Sequence, residues 1–326
     1  MFVSTTQYGR MTGKPASSMA STGSLQHGEL FQYPSLTTTV PKEFVHRAAV
    51  AEVLLTDWGR IDDTHFTVQA QWPRSHSFYT SVLGDCYAPL IAVETVRQLG
   101  ALLSHAEFGV PLGHQFLMSD CHVSADAEHL LLGDAPASLD IEVFFEEVKR
   151  RGGRMAGGRY RTVIRRNGQV AALGGASFTC TSPEVYRRVR GGRGLDGERR
   201  VLPLTAPIAP QNIGRMSPMD VVLTPIGEPS RWQLRVDTRH PVLFDHPVDH
   251  VPGMLLVEAA RQASHAVLGD SAVLPLAMVC DFTRFVEIDA PCYIQAERLD
   301  TPDSRKTVLV TGSQDDAPVF SATVTA

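Results

Sequence analysis

One segment of this chain occurs twice, and this repeat constrains the fold more than any other feature. Residues 76–103 and 240–267 align without a gap at an offset of 164 positions. Polar residues are repeated as well as apolar ones, since His76 aligns with His240. Self-similarity at a fixed offset is the signature of duplicated structural units. The sequence therefore predicts two copies of one domain fused in a single chain.

Weaker matches extend the repeat on both sides. Residues 110–112 align with 274–276 at the same offset, whereas 55–59 align with 223–227 after a four-residue shift. A chain of 326 residues with 43% hydrophobic content can hold two domains of about 100–200 residues each. We expect a disordered leader, a first domain, a linker and a second domain at residues 1–43, 44–182, 183–218 and 219–326.

Composition and motifs exclude several functional classes. The net charge of −5 and the lack of a basic recognition helix disfavour nucleic acid binding. No apolar run approaches the roughly 18 residues that span a membrane. Five scattered cysteines without a CxxC pair argue against disulfides and structural zinc, and favour the cytoplasm. Glycine motifs for dinucleotides or nucleotide phosphates are absent from the sequence.

Each copy contains one predicted helix that is apolar on nearly every side, with a proline close to its start at Pro89 or Pro252. Such a helix must be covered by other structure. Segments rich in β-formers follow each helix, and Asn167-Gly168 marks a tight turn between two of them. These segments are residues 139–148, 159–164 and 169–180, then 292–298, 307–311 and 319–325. The predicted fold is α+β, a tandem hotdog in which an antiparallel sheet wraps each central helix.

Each helix carries a single polar cluster, Glu-x-x-Arg-Gln. Residues three and four apart share one helix face, so the charged and amide groups meet. A buried carboxylate or guanidinium costs several kcal/mol unless it is paired. Two interpretations stay open: a structural ion pair, or a group that acts on substrate. The clusters are Glu94, Arg97 and Gln98 in the first copy, and Glu258, Arg261 and Gln262 in the second.

The loop before the second helix is rich in groups that can carry chemistry. It contains Asp245, His246, Asp249 and His250, and it leads to the positive end of a helix, which stabilises developing negative charge. The spacing fits no zinc pattern, so we expect hydrogen-bonded or acid–base groups and no bound metal.

The first copy differs from the second in this loop. Asp85 aligns with Asp249, but Val82 and Cys86 stand where the second copy has His246 and His250. Cys86 precedes a helix but has no evident partner base, so the sequence gives little support for a nucleophile. We therefore expect two unequal copies, with the chemistry weighted to the second.

Several segments together resemble the A-factor biosynthesis (AfsA) family, two-hotdog proteins that begin γ-butyrolactone signal synthesis in actinomycetes. The resemblance covers about residues 44–326. The segments are WPRSH at 72–76, VETVRQ at 93–98, GHQFLM at 113–118, FTCT at 178–181, VYRR at 185–188, FDHPVDHVPGM at 244–254 and EAARQ at 258–262.

This resemblance implies an acyltransferase. A β-ketoacyl group would move from acyl carrier protein to the hydroxyl of dihydroxyacetone phosphate, and the ester would then close to a butenolide phosphate. No soluble cofactor is implied. Two fused hotdogs already form the usual dimer of this fold, so we expect a pseudo-dimer that is monomeric.

We predict Glu258 as the base, because a carboxylate can take the hydroxyl proton. Arg261 would position it or grip phosphate, and Glu94 with Arg97 would form a second or supporting site. The residues predicted to contact substrate are His246, Asp249, His250, Gln262, Asp85, Gln98 and His76.

Two rival functions and one docking hypothesis remain open. A hotdog dehydratase or thioesterase would act on acyl carrier protein substrates without a phosphate acceptor. A non-catalytic regulator would bind an acyl ligand without turning it over. The six arginines between residues 187 and 200 could dock an acidic carrier protein, although charge runs in linkers are more often solvated.

Overall fold

The computed structural model describes residues 36–191, 193, 202–270, 273–301 and 305–326. Residues Thr38–Ala326 form one compact unit. Most of the predicted leader lies outside the described residues, but its last residues are folded, since Val40 is buried and its N–H donates to the Leu55 carbonyl at 3.0 Å. The predicted domain boundaries within the unit stay a prediction.

Within the described residues, each half has a long helix and six strands. The first half contains β1 (Leu55–Arg60), β2 (His65–Trp72), α1 (Leu90–Ala106), β3 (Gln115–Ala125), β4 (Ala137–Arg151), β5 (Arg154–Arg166) and β6 (Gln169–Thr181). The second contains β7 (Leu223–Pro225), β8 (Arg231–Leu234), α3 (Gly253–Leu268), β9 (Ala277–Phe282), β10 (Cys292–Leu299), β11 (Thr307–Gln314) and β12 (Ala317–Thr325). Helix α2 (Pro183–Val189) lies between the halves.

The strands form one antiparallel sheet, in the order β1-β2-β4-β5-β6-β3-β9-β12-β11-β10-β8-β7. The second half of this order mirrors the first about the β3–β9 pair, where Cys121 is opposite Cys280. This mirror order is the structural form of the sequence repeat, and it confirms the predicted tandem hotdog fold.

Alternating burial explains why the strands cover the helices. In β2, Phe66, Val68, Ala70 and Trp72 are buried and the residues between them are not, which is the pattern of a sheet with one face in the core. Helix α1 packs on β3, β5 and β6, and α3 packs on β10, β11 and β12.

Local signals set the ends of these elements. Helix α3 ends at Gly269, whose φ of 65° gives a left-handed cap. Asn167 and Gly168 both have positive φ, as the predicted tight turn between β5 and β6 requires. Among the described residues, no helix is long and apolar enough to cross a membrane.

Two parts of the predicted linker contain buried residues. Helix α2 begins after Ser182, whose hydroxyl accepts from the Val185 N–H, and Tyr186 and Arg190 are buried. Further on, Ile213 and Arg215 are also buried. Two of the six arginines lie outside the described residues, which omit residues 192 and 194–201 of this segment.

Candidate functional site

A cavity of about 470 Å³ lies between the two halves, within the size range of small-molecule sites. The first half contributes one face of α1 with parts of β3 and β6, and the second contributes residues 242–257 and 282–286. The cavity therefore joins the helix of one half to the histidine loop of the other. Its apolar walls include Phe116, Met118, Phe178, Met254 and Phe282.

His250 lines this cavity and is held from behind by a carboxylate. Its Nδ1 is 2.7 Å from Oδ1 of Asp249, and Nε2 has no hydrogen-bond partner among the described residues. Asp249 is buried, which would raise its pKa. The pKa nevertheless lies well below its usual range, because His250 and Tyr186 donate hydrogen bonds and Arg190 is close. The ionised carboxylate favours the tautomer with the proton on Nδ1.

A second aspartate in the loop before α3, Asp245, forms hydrogen bonds with the first half. Asp245 accepts hydrogen bonds from the N–H groups of Ala48 at 2.5 Å and Ala49 at 3.0 Å. His246 follows it, lines the cavity and is the more exposed histidine, with 43% of its side chain accessible. Its Nδ1 is 3.4 Å from Asp245, so it is held less firmly than His250.

The start of α3 also lines the cavity, through Pro252, Gly253 and Met254. Pro252 makes no side-chain cap, and the Gly253 N–H has no acceptor among the described residues. Such an unpaired amide at a helix start attracts negative charge. In the first half, the position aligned with Gly253 is Pro89, which has no N–H to offer.

The predicted Glu-x-x-Arg-Gln clusters exist in both halves, each with an additional arginine. Arg47 and Arg97 approach Oε1 of Glu94 at 2.7 and 2.8 Å, and Gln98 donates to it at 2.6 Å. Burial would raise the pKa of Glu94, but the two arginines lower it to about 2. Glu94 is fully buried, so the carboxylate is ionised and its oxygens are occupied.

Glu258 has the same surroundings in the second half. Arg215 and Arg261 approach its Oε1 at 2.8 and 2.7 Å, and Gln262 donates to it at 2.5 Å. The arginines hold its pKa well below the usual range despite complete burial. Glu258 does not line the cavity. This position fits the alternative interpretation, a structural ion pair, and the predicted base role stays a prediction.

The additional arginines reach across to the opposite half. Arg47 donates to the backbone carbonyl of Val242 at 3.1 Å, and Arg215 donates to that of Phe78 at 2.6 Å. Arg47 and Arg215 align at the four-residue-shifted offset that relates the segments upstream of the helices. Neither arginine was predicted from the sequence, although this shifted offset aligns the two.

Arg97 differs from Arg261 in its access to the cavity. Arg97 lines the cavity, and its Nη1 has no hydrogen-bond partner among the described residues. In contrast, Nη1 of Arg261 faces Nδ1 of His265 at 3.5 Å, and only 5% of the Arg261 side chain is exposed. Arg97 therefore has a free donor for an anion in the cavity.

His46 lines the same part of the cavity and was not predicted. Its Nε2 is 2.8 Å from Nε2 of His105. Burial, with the charges of Arg97, His105 and His246, lowers the pKa of His46 to about 3, so the ring is neutral. The backbone of His46 is left-handed, with a φ of 52°, and the aligned Gly214 has the same conformation.

The remaining predicted contacts lie elsewhere. His76 sits in a turn, with Nδ1 accepting from the Phe78 and Tyr79 N–H groups. Asp85 is exposed and hydrogen-bonds Ser81. Gln98 and Gln262 are buried behind their glutamates. None of these four lines the cavity, so their predicted contact with substrate stays a prediction. No cluster of metal-binding residues occurs in the described part of the chain.

Comparison with known proteins identifies the family. The family model of the A-factor biosynthesis hotdog domain matches residues 31–182 and 197–326. The chain belongs to this family. A Streptomyces virginiae protein called 2-oxo-3-(phosphooxy)propyl 3-oxoalkanoate synthase is 54% identical over 290 residues, 89% of this chain and 98% of that protein. Proteins of the same name from Streptomyces coelicolor and Streptomyces griseus are 41% and 40% identical, over 87% and 86% of this chain and 90% and 92% of theirs.

Solved structures agree on the fold. A putative oleoyl thioesterase from Lactobacillus plantarum superposes with a TM-score of 0.51 at 12% sequence identity. The superposition covers 81% of this chain and 96% of that one. At this identity the likeness concerns the fold alone, and it agrees with the two-hotdog architecture.

Proposed function

We propose that the chain transfers a 3-oxoacyl group from an acyl carrier protein thioester to the hydroxyl of dihydroxyacetone phosphate, a step of butenolide signal biosynthesis. The relatives' shared name describes the ester that this reaction would form. The observation that carries the proposal is the composition of the cavity. It combines a free helix-terminal amide, an Asp–His pair and an arginine with a free donor, inside apolar walls.

The phosphate end of the acceptor belongs beside Arg97. Its free Nη1 can donate to a phosphate oxygen while Nε and Nη2 stay bound to Glu94 at 2.9 and 2.8 Å. Held in this way, the guanidinium is oriented before substrate arrives, which suits anion binding. His246 lies close enough to interact electrostatically with the same region, and it adds a second donor at the cavity mouth.

The reacting end belongs beside His250 and the start of α3. In this assignment His250 Nε2 takes the hydroxyl proton and the oxygen attacks the thioester carbon. The carbonyl oxygen becomes negative and is held by the Gly253 N–H. The intermediate then expels the carrier's thiolate, which takes the proton from His250. A positioned acid–base group contributes about 10²–10⁴-fold to such a step, and one oxyanion donor about 10²–10³-fold.

Mass spectrometry of a reconstituted reaction tests the proposal. Purified chain is mixed with 3-oxoacyl carrier proteins of several chain lengths, with dihydroxyacetone phosphate or with dihydroxyacetone. We expect a phosphorylated ester in the first case and much less product in the second, because Arg97 has no phosphate to bind. Release of free 3-oxo acid at the same rate without either acceptor would instead identify a thioesterase.

A matched pair of variants tests the phosphate end. Arg97→Met removes the free donor in the cavity, whereas Arg261→Met removes the equivalent arginine, which His265 covers. Both variants lose a partner of a buried glutamate, so both lose stability. At a temperature where both are folded, only Arg97→Met should raise the KM for dihydroxyacetone phosphate. Equal KM values in the two variants would contradict the assignment.

A further inference from the structure

Residues of helix α2 and its C-terminal end hydrogen-bond to Asp249, the residue whose carboxylate holds His250. The Tyr186 hydroxyl donates to Oδ1 of Asp249 at 2.5 Å, and Arg190 Nε donates to Oδ2 at 3.0 Å. Arg190 Nη2 also donates to the backbone carbonyl of Asp249 at 3.0 Å. One short helix therefore fixes both carboxylate oxygens and the main chain of the residue next to His250.

The geometry of α2 explains how it supplies both groups. Tyr186 lies within α2, and Arg190 is the residue that caps the C-terminal end of the helix. The Arg190 N–H donates to the Tyr186 carbonyl at 2.8 Å, so the two side chains, four residues apart, lie on the same side. Both are buried, while Arg187 and Arg188 between them are exposed. A helix of seven residues is not stable alone in water, so these buried contacts also hold α2 in place.

The second half anchors Arg190 from its other side. Nη1 and Nη2 of Arg190 donate to the two carboxylate oxygens of Glu287, each at 2.7 Å, a bidentate pair with a defined orientation. The guanidinium also lies 4.4 Å from the Phe285 ring centre. The His250 ring packs on the same phenylalanine at 4.9 Å. Arg190 and His250 are thus positioned by shared neighbours.

In the first half, the loop before α1 folds without equivalent contacts to its aspartate. Asp85, the counterpart of Asp249, is exposed and is held by the Ser81 hydroxyl at 2.6 Å. Its backbone carbonyl accepts from the Leu132 N–H at 2.9 Å, but among the described residues no helix holds its carboxylate as α2 holds that of Asp249. The buried contacts of Asp249 are therefore not a requirement of the hotdog loop, and they occur in the half that carries His250.

We propose that Tyr186 and Arg190 are positioning residues of the active site, which fix Asp249 and through it the tautomer of His250. This rests on the proposed role of His250 as the acid–base group. The Tyr186 hydroxyl also lies 3.3 Å from Nδ1 of His250. An immobile Asp249 keeps the proton on Nδ1 and leaves Nε2 free to accept from the substrate. In this proposal α2 connects the two halves and also positions the groups of the active site.

Two variants and a control test this role. Tyr186→Phe deletes one hydroxyl, and Arg190→Met deletes the guanidinium but keeps the apolar stem. Arg193→Ala is the control, because Arg193 also approaches Glu287, at 3.7 Å, without contacting Asp249. Imidazole ¹⁵N NMR reports the His250 tautomer, with the His250 signals assigned by their loss in His250→Gln. Steady-state kinetics report kcat and KM.

We expect Arg190→Met to reduce the population of the Nδ1–H tautomer and to lower kcat by about 10²-fold, the low end of acid–base contributions, with KM unchanged. Tyr186→Phe should act in the same direction with a smaller effect, and it tests the idea even if Arg190→Met does not fold. Arg193→Ala should match the wild type. A wild-type tautomer and kcat in both folded variants would overturn the inference. If the wild type itself makes no ester, the proposed function fails, while the NMR result still decides whether α2 controls the tautomer.

Discussion

The two halves share a buried Glu-x-x-Arg-Gln cluster, yet they differ wherever that cluster could meet a ligand. On α1, Gly100 and Ala101 are among the residues that line the cavity. The aligned positions of α3 hold Ser264 and His265, both buried. Gly100 also makes room for a neighbour, since a Cβ would lie 2.8 Å from the Tyr160 hydroxyl. The small residues of α1 thus leave space beside that helix, whereas the larger residues of α3 occupy the corresponding space.

The loops that precede the two helices also differ, but here the polar groups belong to the second half. The second half has His246, His250 and the Gly253 amide where the first half has Val82, Cys86 and Pro89. The open helix face and the reactive loop therefore belong to different halves, and they meet in one cavity. Duplication would produce two symmetry-related places, and our proposal is that complementary substitutions confined the chemistry to one of them. Exchanging residues between the halves is the direct way to test this comparison.

The largest effect is expected from His250→Cys, which gives the second loop the residue of the first. We expect kcat to fall by about 10²–10⁴-fold because the acid–base group is lost. His246→Val, the parallel exchange, should cost less, since His246 is held less firmly. Steady-state kinetics with thermal unfolding curves provide the check. A His250→Cys enzyme with normal turnover would move the chemistry elsewhere.

Gly253→Pro should have the next largest effect. It copies Pro89 from the first half, and proline is well tolerated at the first position of a helix. Because only one N–H is removed, kcat should fall by about 10²–10³-fold, as when one oxyanion donor is lost, and the melting temperature should change little. The reverse exchange, Pro89→Gly, is the control and should leave turnover as it is.

Ala101→His should narrow the cavity by copying His265. We expect turnover of long 3-oxoacyl substrates to fall by about tenfold or more, since each methylene in an apolar pocket is worth about 10-fold to 200-fold in selectivity. Short acyl chains should be affected less. Product profiles across a series of chain lengths measure this, with His265→Ala as the control on the filled side. Equal losses at every length would place the acyl chain away from Ala101.

Glu94→Gln and Glu258→Gln separate structure from function. Glu258→Gln leaves two buried arginines without their carboxylate, and Glu94→Gln leaves the buried Arg47 and the partly buried Arg97 without theirs. Each should therefore lower the free energy of unfolding by about 3–5 kcal/mol. At a permissive temperature, Glu258→Gln should retain its turnover, whereas Glu94→Gln should also raise the KM for dihydroxyacetone phosphate, because Glu94 orients Arg97. Denaturant titrations and kinetics together distinguish the two outcomes. Loss of turnover in Glu258→Gln alone would support the base role predicted from the sequence.

The smallest effect is expected from His46→Gly, which copies Gly214. The pKa of His46 is lowered from 6.5 to about 3, so the folded state binds fewer protons than the unfolded state between these values. Stability therefore falls as the pH falls through this window. In His46→Gly this contribution is absent, and the drop in melting temperature between pH 7.5 and pH 5 should be smaller than in wild type. An unchanged drop would mean that His46 is not neutral in the folded protein.

Much of the fold could be read from the sequence because it depends on local patterns. The alternation of β2, the Asn167-Gly168 turn and the apolar α1 each carry their own signal, and the repeat links them into two copies. The clusters of Glu94 and Glu258 were also visible, because their residues are three and four apart on one helix.

The site was harder to predict because its parts come from different places in the chain. A repeat does not say which loop faces which helix, so the pairing of Arg97 with His250 across the halves had no local signal. Arg190 was hidden in an arginine-rich segment whose composition suggested solvation. The spacing of Tyr186 and Arg190 was the available clue, but it gains meaning only once Asp249 is known to lie opposite.

The crossed contacts of Arg47 and Arg215 have a consequence for the energetics of the whole chain. Each arginine neutralises a glutamate in its own half and satisfies a carbonyl of the other, so neither half alone can complete its buried polar network. An unpaired buried group of this kind is costly. The halves should therefore melt together in one cooperative transition, and a chain cut between them should not yield two independently folded proteins. In that case the two fused copies unfold as a single thermodynamic unit.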